Sequence, residues 1–178
     1  MLEIDNRRDE IIALLRKTGR ENIENVVEWL DRSNFFTAPA SVNYHNNFRG
    51  GLARHSLDVY RLAIKYNAES ENPLPDDSVT LCALLHDVCK SDVYYVDNHG
   101  NPCSDNKKFR EGHGIRSVCI LKSCGMPLSS DEELAIWWHM GKYEKPFDHP
   151  EILESTQNIP LCNLIRRADY DAAVGAMK

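Results

Sequence analysis

The sequence predicts an all-α domain with at most one small β-hairpin. Apolar residues recur at helical spacing in segment after segment, and the stretches between them are rich in Gly, Pro and Asn. Only DVYYVDNHGNPCSD, residues 92–105, joins an aromatic and β-branched run to a Gly-containing turn, which is the hairpin signal.

Asp5 to Lys17 sets Ile11, Ile12, Leu14 and Leu15 on one face, with Gly19 as the stop. Asn22 to Arg32 repeats the pattern with Ile23, Val26, Val27 and Leu30. SNFFTAPASVNYHNNFRGG then interrupts it as a long ordered loop or a set of turns. A helix resumes at Leu52 and runs to about Asn67, with Leu52, Val59, Leu62 and Ala63 inward. ESENPLPDD is a turn, and Asp76 or Asp77 is expected to cap the next helix, which carries Val79, Leu81, Leu84 and Leu85. After the hairpin come helices over Gly114 to Ser123 and Asp131 to Met140. Pro146 and Pro150 break the chain before a last helix, Ile159 to Ala173, with Leu161, Leu164, Ile165 and Ala168 inward. No internal repeat or low-complexity segment is present.

A chain of 178 residues favours one domain with a real core. With 42% hydrophobic and 27% charged residues it reads as a soluble globular protein. A formal net charge of -6 argues against coating nucleic acid through bulk charge, though not against a local basic pocket. MLEIDNRRDE has charges of both signs and no apolar stretch of signal-peptide length, and no segment reaches membrane-spanning length. None of the six cysteines, Cys82, Cys89, Cys103, Cys119, Cys124 and Cys162, forms a Cys-x-x-Cys pair. The expectation is a cytoplasmic protein with free thiols.

Four of the seven histidines stand at or near the ends of separate helices beside small or bulky apolar neighbours: His55, His86, His113 and His139. Helix ends can converge on one centre, and Asp169 on the last helix could face the same place. Adjacent His86 and Asp87 project about 100° apart and can both reach such a centre. Imidazole and carboxylate together suit manganese, iron, zinc or nickel. Periodicity alone does not select this set from the other acids.

These residues fall in an order that resembles the HD-domain superfamily of metal-dependent phosphohydrolases. GGLARHS, LLHDVCK, GHGIRS, WWHMG and ADYDA look like its local motifs, over about residues 39 to 173. APASVNYHNNFRGGLARHS is similar to the opening of the HD domain in bacterial 3′-5′ exoribonucleases and their small stand-alone relatives. The residues ahead of it read as helix and not as the OB-fold of the larger exonucleases. The usual glycine after the His-Asp pair is Cys89 here, read as packing. The resemblance implies an HD helical bundle over 39–178, with 1–38 as a helical lead packed on the core.

The resemblance also implies roles. Asp87 would bridge two divalent metal ions (Mn, Fe, Ni or Zn), with His55, His86 and Asp169 on one and His113 and His139 on the other. Such a pair, about 3.5–4 Å apart, acidifies a water and clamps both attacking and leaving oxygens. Lys90 matches a family lysine and would hold a phosphate oxygen. His45 aligns with a family histidine and would contact substrate. Arg49 and Arg54 are weaker phosphate candidates, Arg54 reading more simply as a solvated helix flank. Lys107, Lys108 and Arg110 could draw an anion to the mouth, but a solvated loop is the commoner role for such a run. His99 reads as a turn residue, His149 as exposed, and Trp137 and Trp138 as core and pocket wall.

The expected function is metal-dependent hydrolysis of a nucleotide or other small phosphate mono- or diester. The alternatives are a di-iron HD-type oxygenase, which uses the same ligands, and a non-catalytic nucleotide-sensing module. A homodimer through the N-terminal helices is a further expectation.

Overall fold

The computed structural model describes residues 2–105, 112–141 and 154–175. Helices α1 Leu2–Lys17, α2 Ile23–Arg32, α3 Gly51–Ala68, α4 Asp76–Leu85, α5 His113–Ser123, α6 Ser130–Trp137 and α7 Pro160–Gly175 surround a common core. A 3-10 turn, Val88–Asp92, follows α4. Strands β1 (Tyr94–Val96) and β2 (Pro102–Ser104) form the one antiparallel hairpin among the described residues, pairing Tyr95 with Cys103. The fold is therefore the helical one that periodicity predicts. No helix among the described residues is long and apolar enough to cross a membrane.

Helix α3 is the central strut. It packs most extensively on α4 and α7, and α1 lies against α3 and α4. Leu52, Leu57, Val59 and Ala63 of α3 are fully sequestered. So is every residue of α4 from Leu81 to Leu85, which explains its near-continuous apolar run. Ile11 and Leu15 of α1 and Val26 and Leu30 of α2 close the core from the N-terminal side. The loop before α3 is ordered by burial: Phe35 and Phe36 meet edge to face at 5.2 Å, and Ala38 and Ala40 are buried beside them.

Two helix boundaries differ from the sequence expectation. Pro75 occupies the N-cap of α4, so Asp76 and Asp77 fall in its first turn and do not cap through their side chains. There they favour the helix dipole, accepting from the Asn67 amide at 3.2 Å and the Arg20 guanidinium at 2.9 Å. Helix α6 ends at Trp137 and not near Met140; residues 138–140 turn, and Gly141 follows in the left-handed region at φ 56°. His139 thus stands just beyond the helix end.

Thiols of Cys82, Cys89 and Cys162 are buried and free. Burial pushes the Cys89 thiol up to about 12. It donates to the His113 carbonyl at 3.0 Å, joining the 3-10 turn to the start of α5.

Glu132 ties three segments together. Its carboxylate accepts from the Ser129 N–H at 2.8 Å while its own N–H donates to Ser129 Oγ at 3.3 Å, the reciprocal cap that starts α6. The same carboxylate accepts from Ser78 Oγ at 2.7 Å and pairs with the Arg20 guanidinium. Its side chain is 1% exposed. Replacing it leaves a half-buried cation without its main counter-charge. Glu132→Ala is expected to lose about 3 kcal/mol in urea unfolding. Ser129→Ala, which removes only the cap, should lose about 1 kcal/mol.

Candidate metal centre

Four helix ends and the middle of a fifth helix meet at one point. His55 stands in the first turn of α3, His86 is the C-cap of α4, His113 begins α5, His139 follows α6, and Asp169 lies on α7. Asp87 follows His86, where the backbone leaves helical geometry at φ −107° and ψ 15°. Two glycines make this convergence possible. A Cβ at Gly51 would run into the Asn46 carbonyl, and one at Gly114 into the carbonyl of Trp137. At Gly114, the bare backbone lets the start of α5 touch the end of α6, setting His113 beside His139 with ring centroids 5.1 Å apart.

Asp87 is the hub. Its Oδ2 faces His86 Nε2 at 3.3 Å and His55 Nε2 at 3.8 Å. Its Oδ1 faces His139 Nε2 at 3.4 Å and His113 Nε2 at 3.6 Å. Asp169 Oδ1 lies 2.9 Å from His55 Nε2 and 3.7 Å from His86 Nε2. Lys90 Nζ donates to Asp87 Oδ2 at 2.6 Å. The structure therefore gathers all six sequence-identified candidate ligands, with one carboxylate oxygen toward each half of the set.

The orientation of two rings shows what the centre is built to receive. His86 Nδ1 donates to the Ala83 carbonyl at 2.9 Å, and His139 Nδ1 donates to the Ile136 carbonyl at 2.7 Å. A carbonyl only accepts, so each Nδ1 carries a proton and each ring turns its Nε2 inward. Both Nε2 atoms and Asp87 Oδ1 are buried without a hydrogen-bond partner. In their neutral form these nitrogens turn lone pairs toward the carboxylate across 3.3–3.4 Å, an arrangement that a cation between them satisfies. The donor set fits a divalent cation on that ground. His55, His86 and Asp169 form one group whose ligand atoms lie within 4.8 Å of one another, and His86, Asp87 and His139 form another.

Electrostatics agree. Burial opposes a charge on Asp87, but Lys90 and His86 hold its carboxyl well below the usual range. Burial likewise works against Asp169, and contact with His55 holds it low. Burial works against a charged Lys90 too, and Asp87 keeps it protonated. Burial would also depress His139, but Asp87 raises it: the carboxylate draws positive charge to that edge. Burial pushes His113 down to about 3, with His139 and Lys90 adding to the effect.

Beside the centre opens a cavity of about 1190 Å³. Lys90, His113, His139 and Asp169 form its floor. His45 also lines it, its ring centroid 4.7 Å from that of His55; burial and then His55 push it down to about 4. Arg49 is exposed and is not among the lining residues. Arg54 is spent on a surface pair with Asp58 at 2.8 Å. His99 is a turn residue whose N–H donates to Asp97 at 2.9 Å. Lys107, Lys108, Arg110 and His149 lie outside the described residues. Sequence reasoning missed Tyr44, Tyr94, Asn163, Arg166 and Tyr170 in the wall. Arg166 lies three residues before Asp169 and Asn163 three before that, so helical spacing from Asp169 was the available signal for these two.

A histidine held neutral by burial binds its proton more readily in the unfolded chain. Its stability contribution is therefore lost as pH falls through the unfolded value near 6.5 toward the folded one. In chelating buffer, parent protein should lose on the order of 1–2 kcal/mol more than His113→Gln between pH 7 and pH 5. Denaturant unfolding at both pH values measures the difference; equal losses would show that His113 is not held neutral.

Comparison with known proteins accords with this geometry. The HD domain family profile matches residues 52–174. A dihydroneopterin 2′,3′-cyclic phosphate phosphodiesterase of Methanocaldococcus jannaschii is 37% identical over 95 residues, covering 51% of this chain and 38% of the relative. The chain thus spans well under half the length of that relative. No solved structure matches. A match that takes in every proposed ligand from His55 to Asp169 makes the chain a member of the HD-domain superfamily.

Proposed function

We propose that this protein is a metal-dependent phosphohydrolase acting on a nucleotide or other small phosphate mono- or diester. The observation that carries the reading is the set of inward imidazole nitrogens facing the two oxygens of Asp87. His55, His86 and Asp169 would hold one ion, His113 and His139 a second, and Asp87 would bridge them. Bound divalent ions would supply acidification of a water and neutralisation of phosphate charge.

The chain's own residues do the rest. Ala83 and Ile136 carbonyls fix the tautomers of His86 and His139, so no reorientation is needed when a cation arrives. Lys90 keeps Asp87 ionised and, from the cavity floor, can meet a phosphate oxygen as a point charge. His45 faces the cavity beside His55 and would orient the substrate. A relative named for a cyclic phosphodiester supports a small ester over a polymer. Within this reading residues 39–178 form the HD unit and 1–38 a lead that seals it.

Elemental analysis of protein purified without chelator, with phosphate-ester assays alongside, tests the proposal. About two equivalents of metal are expected in the parent. Asp87→Ala should lose them, with hydrolysis falling at least about 1000-fold. An Asp87→Ala protein that hydrolyses as well as the parent would sink the mechanism. Iron with dioxygen uptake and no ester hydrolysis would replace it with the oxygenase reading.

A further inference from the structure

The cavity is larger than one phosphoryl group requires. Its roughly 1190 Å³ exceeds the usual range of about 300–1,000 Å³ for small-molecule pockets. Its floor is the metal centre, and one wall is a face of α7. Asn163, Arg166, Asp169, Tyr170 and Ala173 all line the cavity, with Arg166 three residues after Asn163 and Tyr170 four after Arg166. Arg166 precedes Asp169 by three residues, which sets it about 4.5 Å along the helix axis.

The cations on the two sides are in different states. Lys90 is matched to Asp87 at 2.6 Å. Arg167 is exposed, with Asp171 at 3.8 Å and its guanidinium over the Tyr66 ring at 4.0 Å. Arg166 is half-buried and meets only neutral groups: the Trp138 carbonyl at 3.2 Å, Thr156 Oγ1 at 3.2 Å and Asn163 Oδ1 at 3.5 Å. Its Nε is buried without a hydrogen-bond partner, and a Cβ at Gly141 would sit 3.2 Å from it. Among the described residues, no carboxylate pairs with this guanidinium. Nη2 is held by a carbonyl and a hydroxyl, which leaves Nη1, with one long bond to Asn163, as the amino group suited to a charge-assisted bond to an anion.

We infer that Arg166 forms a second anion subsite, which takes a phosphate group of the substrate other than the one hydrolysed. The inference rests on the phosphohydrolase reading and narrows it to phosphate esters that carry two phosphoryl groups. Asn163 braces the guanidinium from one turn below. Tyr170, 68% exposed one turn above, offers a flat face to the body of the molecule between the two groups.

The test compares calorimetric affinities of the full chain for adenosine 3′,5′-bisphosphate and adenosine 5′-monophosphate, in chelating buffer so that neither is turned over. The parent should bind the bisphosphate at least about tenfold more tightly. Arg166→Gln should erase that preference while leaving the monophosphate within about twofold, and Arg166→Lys should keep part of it. Thermal melting checks that both variants fold; if the glutamine variant does not, a lysine variant with undiminished preference counts against the subsite. Equal weakening of both ligands, an unchanged ratio in Arg166→Gln, or no binding of either at millimolar concentration would overturn it. Hydrolysis of bis(4-nitrophenyl) phosphate by the metal-loaded parent reports the underlying reading separately. A parent inert toward that ester but retaining the Arg166-dependent preference defeats the hydrolase and leaves the subsite standing.

Discussion

The buried charge of Asp87 organises this molecule. A carboxylate with 1% exposure is costly unless opposite charge or hydrogen-bond donors surround it. Lys90 does so directly, and four imidazole edges from four further segments face the same carboxylate. Lys90 is itself tolerable inside the protein because Asp87 is ionised. Removing the carboxylate would leave Lys90 an unbalanced buried cation, and removing Lys90 would leave the carboxylate to the rings alone. The helices pack as they do partly because their ends must meet at this one atom group.

Backbone geometry makes the meeting possible. Gly51 and Gly114 give up their side chains so that a loop carbonyl and a helix-end carbonyl can approach. The histidines at the ends of α4 and α6 reach back three residues to the carbonyls of Ala83 and Ile136. Those carbonyls lie in last turns, where helices leave acceptors unused. An otherwise unsatisfied end of a helix thus becomes the clamp that aims a ligand.

Much of this was legible in the sequence. The helical fold follows from apolar spacing, and the hairpin from one aromatic run and its turn. His55, His86, His113 and His139 stood out because each falls at a helix end, which one-dimensional periodicity can locate. Asp169 could be placed toward the same centre, but only the resemblance selected it from the other acids, because a carboxylate mid-helix looks like any solvated acid. The cap of α4 was misplaced because Pro75 fixes the entry angle and leaves Asp76 inside the helix. The early end of α6 was missed because Trp138, His139 and Met140 continue an apolar pattern after the backbone has turned. The cavity wall was missed because Arg166 and Tyr170 read as the polar side of an amphipathic helix, and only the packing of α7 shows what that side faces.

Helix α7 carries Asp169 and the cavity wall on one rigid rod. A rod cannot be adjusted at one rung without carrying the next, so a small rotation that reshapes the wall also moves a ligand of the centre. Divergence toward new substrates in this lineage is therefore constrained on α7 to exchanges of side chains at fixed backbone. Larger changes of preference must enter through segments that touch the cavity without holding a ligand, such as the loop bearing Ser41, Tyr44 and His45.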